Sequence, residues 1–526
     1  MKQTQQPESL RRLLEARISA APDKPFLFNE RDGRRFTYAE FLRAVDRAAD
    51  MLERLGVGKG DAVSLLMPNG AEYVIAYFAC FSVGALAGPV NSLLKPEEMA
   101  YVVGNSEAKV LLYDTQFAEQ AAGVRSQVGS LREAVVFDDE RAATSGFTGE
   151  EGAWRGRELK REDEAIIIYT SGTTGKPKGC LLTHANLLAN ARQIVDWLGF
   201  NEEDRLLSVM PLFHMNAVTV TTMSALHAGG STVVSPRFSA SRFWQIVSDY
   251  GVTSFGSVAT MLSMLLANYP EGVPAGLDTT GLRFAMCGSA PVPSEVLRRF
   301  EEAFGVLVIE GYGLSESTCR STFNPPDERR RPGSCGLPIG NEMKVFDEDD
   351  KELPDGESGE IVLRGENIFK GYFRNDEATR RAFRGGWFHT GDVGYRDGDG
   401  FFYIIDRKSD MIIRGGENIY PREIDELLYS HPAVAEAAVI GVPDELYGEE
   451  VAAFVTLKQG GAATEAELLA YCRGHLAEFK CPKRVLFTDA LPKGPTGKVL
   501  KRELSRQFKE SSGQGVRGGT GGETQQ

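Results

Sequence analysis

The stretch IIIYTSGTTGKPKG, residues 166–179, does most to decide the fold class of this chain. Its opening residues Ile166–Tyr169 are β-branched and aromatic, as expected of a buried strand. The next ten residues, Thr170–Gly179, contain four hydroxyl side chains, three glycines and two lysines. Hydroxyls, ammonium groups and backbone amides gathered at the end of a strand are typical of a phosphate-binding loop.

Two other interpretations of this loop compete with phosphate binding. The glycine spacing around Lys176 does not match GxxxxGK[ST], which disfavours an ordinary P-loop nucleoside triphosphatase. A flexible connection rich in serine and glycine is the structural alternative. We favour phosphate binding.

Short apolar runs alternate with longer helical patterns on both sides of this stretch, which predicts an α/β fold. Besides AIIIYT at 165–170, the runs include AVSLLM at 62–67, KVLLYD at 109–114, LLSVMP at 206–211 and STVVSP at 231–236. The apolar runs at 282–286 and 306–309 also end in loops rich in glycine and hydroxyls, CGSAP and EGYGLSE. Ligands of open α/β sheets lie beyond the carboxyl ends of the strands, so we expect the three loops to converge.

The pattern changes after about Phe401, which predicts a second, smaller domain. FFYIID, AEAAVIGV and VAAFVTL are typical of strands, and Pro421 is placed to open a helix. We predict a large N-terminal α/β domain of layered sheets and helices over residues 1–407 and a small, mobile C-terminal α+β domain over 408–506. The polar, glycine-rich residues 507–526 are expected to form a disordered tail.

The composition describes a globular protein and excludes some partners. The chain has 526 residues, of which 42% are hydrophobic and 25% are charged, and its net charge is −14. A chain of this length exceeds one ordinary hydrophobic core. Its negative charge repels nucleic acids and anionic membranes, so we expect neither as a partner.

Cysteine usage and the N-terminal sequence predict a cytoplasmic protein. The seven cysteines form no CxxC pair, and their odd number is unlike a secreted disulfide framework. The N-terminal residues are polar and then amphipathic, without the apolar core of a secretory signal.

One uncharged segment, Tyr73–Val90, has nearly the length of a membrane span. Gly84, Gly88 and Pro89 interrupt it, and Asn69 with Glu72 supplies a helix-start signal before it. We therefore predict a buried helix followed by a buried strand, and no integral membrane span.

The loop Thr170–Gly179 resembles the signature of the adenylate-forming (ANL) superfamily of acyl-CoA synthetases, luciferases and nonribosomal-peptide adenylation domains. The superfamily's other motifs follow in order: PLFH ending at His214, GSAP at 288–291, YGLSE at 312–316, TGD at 390–392, Arg407, GGEN at 415–418 and a late PxxxxGK lysine at Lys498. The resemblance spans about residues 30–505. It implies the ANL fold and the formation of an acyl-adenylate from ATP.

The resemblance implies how the nucleotide would be held. Tyr312 would stack on adenine, and Asp392 would accept hydrogen bonds from the ribose hydroxyls near Arg407. Glu316 would bind Mg²⁺, although a solvated surface glutamate is the alternative. Ser315 replaces the usual threonine and keeps the hydroxyl. The implied nucleotide-binding residues are Thr170, Ser171, Gly172, Thr173, Thr174, Gly175, Lys178, Gly288, Ser289, Ala290, Glu310, Gly311, Tyr312, Gly313, Ser315, Asp392 and Arg407.

The implied chemistry requires a cation at phosphorus. A carboxylate is a poor acyl donor because its leaving group would be oxide, so the acid first attacks the α-phosphate of ATP. Negative charge then builds between the incoming carboxylate and the departing pyrophosphate. Lys498 resembles the catalytic lysine that stabilises this charge. His214 resembles an aromatic gate for ATP, with a core histidine as the alternative, and no histidine spacing indicates a zinc site.

The resemblance also implies a domain rotation between the two half-reactions, because a thiol must reach the same carbonyl after pyrophosphate leaves. The hinge would be Ser409, which departs from the aspartate or lysine common at this position. Gly415 and Gly416 would form the hairpin that approaches the pantetheine of coenzyme A, since glycines permit close backbone contact.

The resemblance implies an acyl pocket of small, apolar and weakly polar residues. We expect glycines 288 and 311 to leave its floor open for a ring or an alkyl chain, and none of the pocket residues is a cation suited to a dicarboxylate. The residues concerned are Asn216, Thr219, Val220, Met223, Met286, Gly288 and Gly311.

We predict an acyl-CoA ligase that acts on a medium- or long-chain fatty acid, with ATP, Mg²⁺ and coenzyme A. The alternatives are a carnitine, crotonobetaine or aryl acid CoA ligase, and an acyl-AMP ligase that supplies a carrier protein. A luciferase-like oxygenase is rare among such sequences. A non-catalytic adenylate sensor should lack Lys498, Glu316 or Asp392, and all three are present. The sequence does not determine the oligomeric state, and a homodimer is one possible assembly.

Overall fold

The computed structural model describes residues 7–137, 156–170, 176–289, 292–494 and 498–513. Contacts between residues divide the chain into two compact units. The first unit extends to Lys344 and includes Val362–His389, and the second comprises Val345–Ile361 and the residues from Thr390 onward. The domain boundary at residue 407 stays a prediction.

The first unit contains a mostly parallel sheet, which confirms the α/β prediction. Its pairings are parallel except for the antiparallel edge pair Pro25–Asn29 and Arg35–Thr37. Among the described residues the sheet runs, in spatial order, through Leu307–Glu310, Phe284–Cys287, Ser254–Ser257, Arg205–Ser208, Ser231–Val234, Pro25–Asn29 and Arg35–Thr37.

A second sheet of the first unit contains the two strands that flank the predicted phosphate loop. Glu164–Thr170 and Lys178–Thr183 pair antiparallel, so the predicted phosphate loop connects the two strands of a hairpin. Among the described residues this sheet runs through Gly371–Tyr372, Lys178–Thr183, Glu164–Thr170, Leu86–Pro89, Ala62–Leu66, Val110–Tyr113 and Glu133–Val136.

Amphipathic helices accompany the two sheets. Tyr38–Arg54 is one example: Thr37 and Glu40 form a capping box at its start, and its apolar face is buried. The α-helices of the first unit are Leu10–Ala20, Tyr38–Arg54, Ala71–Val83, Pro96–Asn105, Ala118–Gln127, His184–Leu198, Ser224–Ala228, Phe243–Tyr250, Ala259–Asn268, Ser294–Phe304 and Asp376–Ala382. Shorter elements are the π-helix Asn216–Met223, the 3₁₀ turns Thr115–Phe117, Ala240–Arg242 and Ser315–Ser317, and the strands Thr322–Phe323, Leu337–Pro338 and Phe383–Arg384.

The uncharged segment Tyr73–Val90 is part of the core, as predicted. It forms most of the helix Ala71–Val83 and then the strand Leu86–Pro89, and both are buried. The expected start signal is wrong in detail: Gly70 precedes the helix without a side-chain cap, and Asn69 instead bonds the carbonyl oxygen of Met210 over 2.8 Å. No helix in the described part of the chain is long and apolar enough to cross a membrane.

None of the seven cysteines, all of which lie within the described ranges, is joined in a disulfide. The cytoplasmic location expected from them stays a prediction.

The second unit has its own sheet and core. Gly448–Leu457 lies inside this sheet, pairing antiparallel with Val434–Asp444 and parallel with Arg484–Phe487. Ile424, Leu428 and Val439 are among the residues that close its core. Its other elements are the strands Phe402–Arg407, Ile412–Arg414 and Glu417–Ile419, the helices Pro421–Ser430, Glu465–Arg473 and Lys501–Gly513, and the 3₁₀ turn Glu478–Lys480.

Three strands continue along the chain from one unit into the other: Glu342–Phe346, Gly359–Arg364 and Trp387–Arg396.

The helix Lys501–Gly513 corrects the predicted tail. Leu504 is fully buried in a cluster with Phe454 and Leu491, and Phe508 packs against the same cluster. Residues 507–513 are therefore helical rather than part of a disordered tail, because two apolar side chains spaced four residues apart lie on one face of a helix. The rest of the predicted tail lies outside the described residues.

Candidate active site

The loop Gly311–Phe323, called the acid loop below, folds back on itself in the first unit. The amide of Tyr312 donates to Thr322 Oγ1 over 3.1 Å. The chain passes so close to itself that a Cβ at Gly313 would collide with the carbonyl oxygen of Cys319. Glycine at 313 is therefore required by close backbone approach rather than by the nucleotide alone.

The acid loop contains a strained residue. Thr318 is buried and has a φ of 68°, a conformation that is a clear outlier for a β-branched residue. Its hydroxyl donates to the carbonyl oxygen of Asn367 over 2.7 Å, which helps to hold it. Strain of this kind is concentrated at functional sites, and Glu316 lies two positions earlier.

Glu316 is linked to the end of the phosphate loop through Tyr372. The Glu316 side chain is buried, and the Tyr372 hydroxyl donates to its Oε1 over 3.0 Å. The Lys178 ammonium lies 5.2 Å from the centroid of the Tyr372 ring, within cation–π range. Burial and then the charge of Glu316 raise the pKa of Tyr372, so its hydroxyl remains a donor. Sequence reasoning missed Tyr372, because no motif marks it and only its pairing beside Cys180 reveals it.

The phosphate loop itself is described only at its two ends. Thr170 and Lys178 are opposite each other in the antiparallel pair. Ser171, Gly172, Thr173, Thr174 and Gly175 lie outside the described residues.

The two neighbouring strands Phe284–Cys287 and Leu307–Glu310 bring the next two predicted loops together. Cys287 and Glu310 are register partners at the carboxyl ends of these parallel strands. Glu310 is buried and accepts a hydrogen bond from the amide of Gly333 over 3.0 Å. Ser289 is exposed and has a φ of 72°, the second strained residue of this region. Ala290 lies outside the described residues, and Ser315 opens the 3₁₀ turn that contains Glu316.

Several predicted acyl-site residues carry buried polar atoms that lack partners. Both side-chain heteroatoms of Asn216, Thr219 Oγ1 and His214 Nε2 have no hydrogen-bond partner within the described ranges. Asn216–Met223 forms a π-helix, a rare conformation that is frequent at functional sites. Unsatisfied buried polar groups are costly unless a ligand or water completes them. Val220, Met223 and Met286 are buried apolar residues of the same region.

His214 is neutral at physiological pH. Burial lowers the pKa of its imidazole to about 4. Its ring packs against Phe213 with a centroid distance of 4.7 Å. The side chain therefore behaves as an aromatic group with one open nitrogen, which suits a gate better than an acid or base.

The two glycines of the predicted pocket floor do not leave open space. A Cβ at Gly288 would collide with the guanidinium of Arg320. A Cβ at Gly311 would lie 2.5 Å from the ring of Phe323. The expectation of an open floor without a cation is therefore wrong, because these glycines admit an arginine and an aromatic ring.

In the second unit, the predicted ribose-binding residues are strand neighbours. Asp392 and Arg407 are register partners on antiparallel strands, and Arg407 Nε lies 3.0 Å from Asp392 Oδ1. The Asp392 side chain is almost fully buried, whereas Arg407 is partly exposed.

Lys498 lies within electrostatic range of this pair. Lys498 is exposed on the surface. Neighbouring protein nevertheless removes part of the water around its ammonium, and this desolvation lowers the pKa of the group. The positive charge of Arg407 lowers that pKa further, while Asp392 and Asp410 raise it. The three predicted residues Asp392, Arg407 and Lys498 thus belong to one charged cluster of the second unit.

The predicted hinge and hairpin are turns of the second unit. Ser409 is exposed, and its hydroxyl donates to Asp410 over 3.1 Å. Gly415 and Gly416 join the strands Ile412–Arg414 and Glu417–Ile419 with φ values of 59° and 93°. Positive φ at both central residues is the requirement of a type I′ hairpin, which explains the glycine pair.

The residues present fit a magnesium ion that is carried by a nucleotide. The described residues hold no cluster of three or more His, Cys, Asp or Glu suited to a metal ion. Magnesium is usually bound by one or two carboxylates together with substrate phosphates, so the sheltered Glu316 carboxylate suffices.

The fold and this arrangement define the class of adenylate-forming (ANL) enzymes. The large α/β unit carries the phosphate hairpin and the acid loop, and the smaller unit carries the late lysine.

Comparison with known proteins agrees with this class. The family model for AMP-binding enzymes matches residues 14–373, and that for the AMP-binding enzyme C-terminal domain matches residues 423–498. The chain is 37% identical to a sulfoacetate–CoA ligase of Cupriavidus necator over 94% of this chain and 97% of the relative. It is also 37% identical to a long-chain-fatty-acid–CoA ligase of Mycobacterium tuberculosis over 90% of this chain and 93% of the relative.

Solved structures give the same result. An ATP-bound MatB from Rhodopseudomonas palustris matches with a TM-score of 0.88 and 33% identity, covering 95% of this chain and 99% of that one. An o-succinylbenzoate CoA synthetase from Bacillus subtilis, in complex with its acyl-adenylate intermediate, matches with a TM-score of 0.83 and 32% identity over 97% and 99% of the chains. The chain belongs to the AMP-binding enzyme family. It is an AMP-forming acyl-CoA synthetase whose substrates are ATP, coenzyme A and a carboxylic acid.

Proposed function

We propose that this synthetase activates a compact carboxylic acid, with the residue roles given below. The observation that carries the proposal is the acid loop, in which Glu316 accepts a hydrogen bond from Tyr372 and Arg320 lies against Gly288. Glu316 would then meet a nucleotide-borne metal, and Arg320 would line the acyl region. The predicted medium- or long-chain fatty acid is less well supported, since Arg320 and Phe323 occupy the space that the two pocket glycines were expected to leave.

The first half-reaction joins the acid to AMP. An oxygen of the substrate carboxylate attacks the α-phosphorus of ATP, the bond from that phosphorus to the bridging oxygen breaks, and pyrophosphate leaves with the electron pair. Thr170 and Lys178 would hold phosphate oxygens, and Glu316 would hold Mg²⁺, whose charge neutralises the phosphates. Tyr372 would fix the Glu316 carboxylate through the hydrogen bond of 3.0 Å.

The second unit would supply the remaining nucleotide contacts. Asp392 would accept hydrogen bonds from the ribose hydroxyls, with Arg407 holding that carboxylate over 3.0 Å. Lys498 would stabilise the negative charge that builds on the α-phosphate. A cation used only in the transition state accelerates the step rather than tightening ground-state binding.

The second half-reaction forms the thioester. The thiol of coenzyme A loses its proton to solvent and its sulfur attacks the acyl carbonyl. The bond from that carbon to the phosphate oxygen breaks, and AMP leaves with the electron pair. The exposed hairpin at Gly415 and Gly416 would approach the pantetheine, and Ser409 would serve as the hinge between the half-reactions.

The names of the relatives do not select the acid, because they include sulfoacetate, oxalate, 2-succinylbenzoate and long-chain fatty acids. The deciding experiment is a panel of carboxylic acids with ATP, Mg²⁺ and coenzyme A, in which pyrophosphate release and acyl-CoA mass are both followed. Acyl-CoA from short acids supports the proposal, and turnover restricted to long alkyl acids contradicts it. Pyrophosphate release without a thioester would indicate a carrier-protein acceptor.

A further inference from the structure

Arg320 is the one cationic residue of the acid loop, Gly311–Phe323, and its side chain is deeply buried. Only 1% of the residue is exposed. Its Nη1 donates to the carbonyl oxygen of Gly311 over 3.3 Å, and its guanidinium lies 5.2 Å from the centroid of the Phe323 ring. Its backbone is held on both sides by the Asn190 side chain, which accepts from the Arg320 amide over 3.1 Å and donates to its carbonyl oxygen over 2.6 Å. The arginine is therefore a fixed part of the wall and not a mobile surface group.

One edge of this guanidinium is left open. Nε and Nη2 of Arg320 have no hydrogen-bond partner in the part of the chain that the structure describes. These two nitrogens form the edge whose parallel N–H bonds match the two oxygens of a carboxylate or a sulfonate. Nor does Arg320 form an ion pair with any described carboxylate. Buried N–H groups of a cation that lack acceptors are unfavourable, and an anionic group of a ligand would supply the acceptors that Nε and Nη2 lack.

The guanidinium of Arg320 lies beside Gly288, a residue of the predicted acyl region. Arg320 occupies the space above Gly288, where a Cβ would collide with Nη1. Gly288 lies two residues beyond Met286 in the chain. Met286 is the register partner of Gly256 on the neighbouring strand. A Cβ at Gly256 would lie 2.7 Å from Asn216 Oδ1, so Asn216 covers that glycine.

Residues two apart on a strand, and register partners on neighbouring strands, project to the same face of a sheet. Asn216 therefore lies on the face to which Met286 projects, and Arg320 lies against the residue that directly follows the strand Phe284–Cys287. Gly288, beside Arg320, and Gly256, beside Asn216, are separated by one strand spacing across the sheet and two residues along it. The distance between these two glycines is therefore on the order of 8 Å. A compact substrate spans that distance.

We propose that Arg320 binds a second anionic group of the substrate, so that the preferred acids are short molecules with a carboxylate or sulfonate besides the carboxylate that is adenylated. This inference rests on the proposed function, because it assigns the acid of the same site. The reacting carboxylate becomes bonded to the α-phosphate. The second anionic group accepts hydrogen bonds from Nε and Nη2 of Arg320. A methyl group in its place leaves the buried cation unpaired, which is the source of discrimination.

The test compares matched acids on the intact protein. Three series differ only in the terminal group: propanoate with malonate and sulfoacetate, butanoate with succinate and 3-sulfopropanoate, and hexanoate with adipate as a longer pair. Acyl-AMP formation is measured by pyrophosphate release, and acyl-CoA by mass. We expect kcat/KM to be at least about 100-fold higher for a doubly anionic acid than for its alkyl counterpart, because a site built for a charged partner rejects the analogue that lacks it. The carboxylate and sulfonate arms identify which anion is preferred.

The variant Arg320→Met should invert this preference. We expect it to lose about 100-fold or more in kcat/KM for the doubly anionic acid while it gains or holds activity toward the alkyl acid, with an unchanged KM for ATP. The matched control is Arg330→Met, because Arg330 is a sheltered arginine that pairs with Glu301 outside the acid loop. The control should keep the wild-type preference.

The outcomes separate this inference from the function on which it rests. Turnover of alkyl acids alone by the wild-type protein, or an unchanged preference in Arg320→Met, overturns the inference and leaves the ligase intact. Absence of pyrophosphate release with every acid, despite ATP binding, overturns the proposed function itself. If Arg320→Met does not fold, the wild-type series still decides.

Discussion

At the scale of single residues, Glu316 and Tyr372 illustrate how one hydrogen bond prepares a carboxylate for its role. The Tyr372 hydroxyl donates to one oxygen of the buried Glu316 carboxylate over 3.0 Å, which fixes the orientation of that carboxylate. Carboxylate oxygens are preferred ligands of a hard cation such as Mg²⁺.

The first prediction concerns this pair. Glu316→Gln should raise the Mg²⁺ concentration required for half-maximal activity and lower kcat by about 100-fold, because a carboxamide is a weaker ligand for Mg²⁺. Tyr372→Phe should produce a smaller effect of the same kind, about 10-fold or less, since it removes only the donor. The measurement is a Mg²⁺ titration of pyrophosphate release at saturating ATP. Unchanged Mg²⁺ dependence in Glu316→Gln would place the metal elsewhere.

The second prediction concerns buried histidines. Burial lowers the pKa of His184, His214 and His227 to about 4. An unfolded histidine has a pKa near 6.5, so the unfolded chain binds these protons first as the pH falls. Their contribution to stability is complete above about pH 6.5 and decreases toward pH 4, by up to about 1.4 kcal/mol per pH unit for each histidine.

Thermal unfolding measured from pH 7.5 to pH 4.5 checks this sign. The midpoint should fall on acidification, and His184→Gln should flatten the fall, because His184 is fully buried with Nε2 lacking a partner among the described residues. His475→Gln is the control, since His475 is exposed. An equal slope in both variants would contradict the assignment to His184.

At the scale of elements, the acid loop depends on close contacts of its own backbone. A Cβ at Gly313 would collide with the carbonyl oxygen of Cys319, which cannot move without displacing Arg320. Thr318 is held at a φ of 68° within the same turn. The loop therefore has one acceptable path, and Glu316 and Arg320 depend on it together.

The third prediction follows from this packing. Gly313→Ala should lower kcat/KM by about 100-fold or more for every acid, and should reduce the midpoint of thermal unfolding by several degrees, because backbone overpacking costs about 1–3 kcal/mol. Gly281→Ala is the matched control, since a Cβ there meets nothing within 4 Å. Steady-state kinetics and thermal unfolding of both variants provide the measurement. A selective loss for one acid would mean that the loop does not support Glu316.

At the scale of the whole molecule, the residues proposed for the reaction belong to two units. Glu316, Lys178 and the acyl residues belong to the first unit, and Lys498 belongs to the second with Asp392 and Arg407. Residues in separate units can be required in separate steps.

The fourth prediction tests that division. Lys498→Ala should slow adenylate formation by about 100- to 1000-fold, the usual effect of removing a transition-state charge, and should leave thioester formation from supplied acyl-AMP nearly unchanged. Lys509→Ala, at an exposed position of the last helix, is the control. The two half-reactions are measured separately, by pyrophosphate release and by acyl-CoA formation. Equal losses in both would contradict a role confined to the first step.

Much of the fold could be read from local patterns, because strands and helices follow from periodic burial. The uncharged segment Tyr73–Val90 became a buried helix and strand as predicted, and Pro421 opens a helix as predicted. The start of the tail was wrong, since Phe508 is a single aromatic residue in a polar stretch and only its packing partners give it a role.

The site was predictable in its motifs and not in its tertiary contacts. Glu316 and Lys498 could be assigned by resemblance because they stand in spaced motifs. Arg320 and Tyr372 stand in none, and their roles depend on which backbone lies opposite. A lone arginine within STCRSTFNP, four residues after Glu316, was the available signal for the first of them.

The shared path of Glu316 and Arg320 has an evolutionary consequence. A lineage can change its acid by replacing the side chain at position 320 alone, because the loop backbone and the metal ligand stay where they are. An insertion or deletion in the same loop would shift both at once and forfeit ATP chemistry together with selectivity. Related enzymes that activate different acids should therefore differ at position 320 by substitution, while the length of the acid loop stays the same.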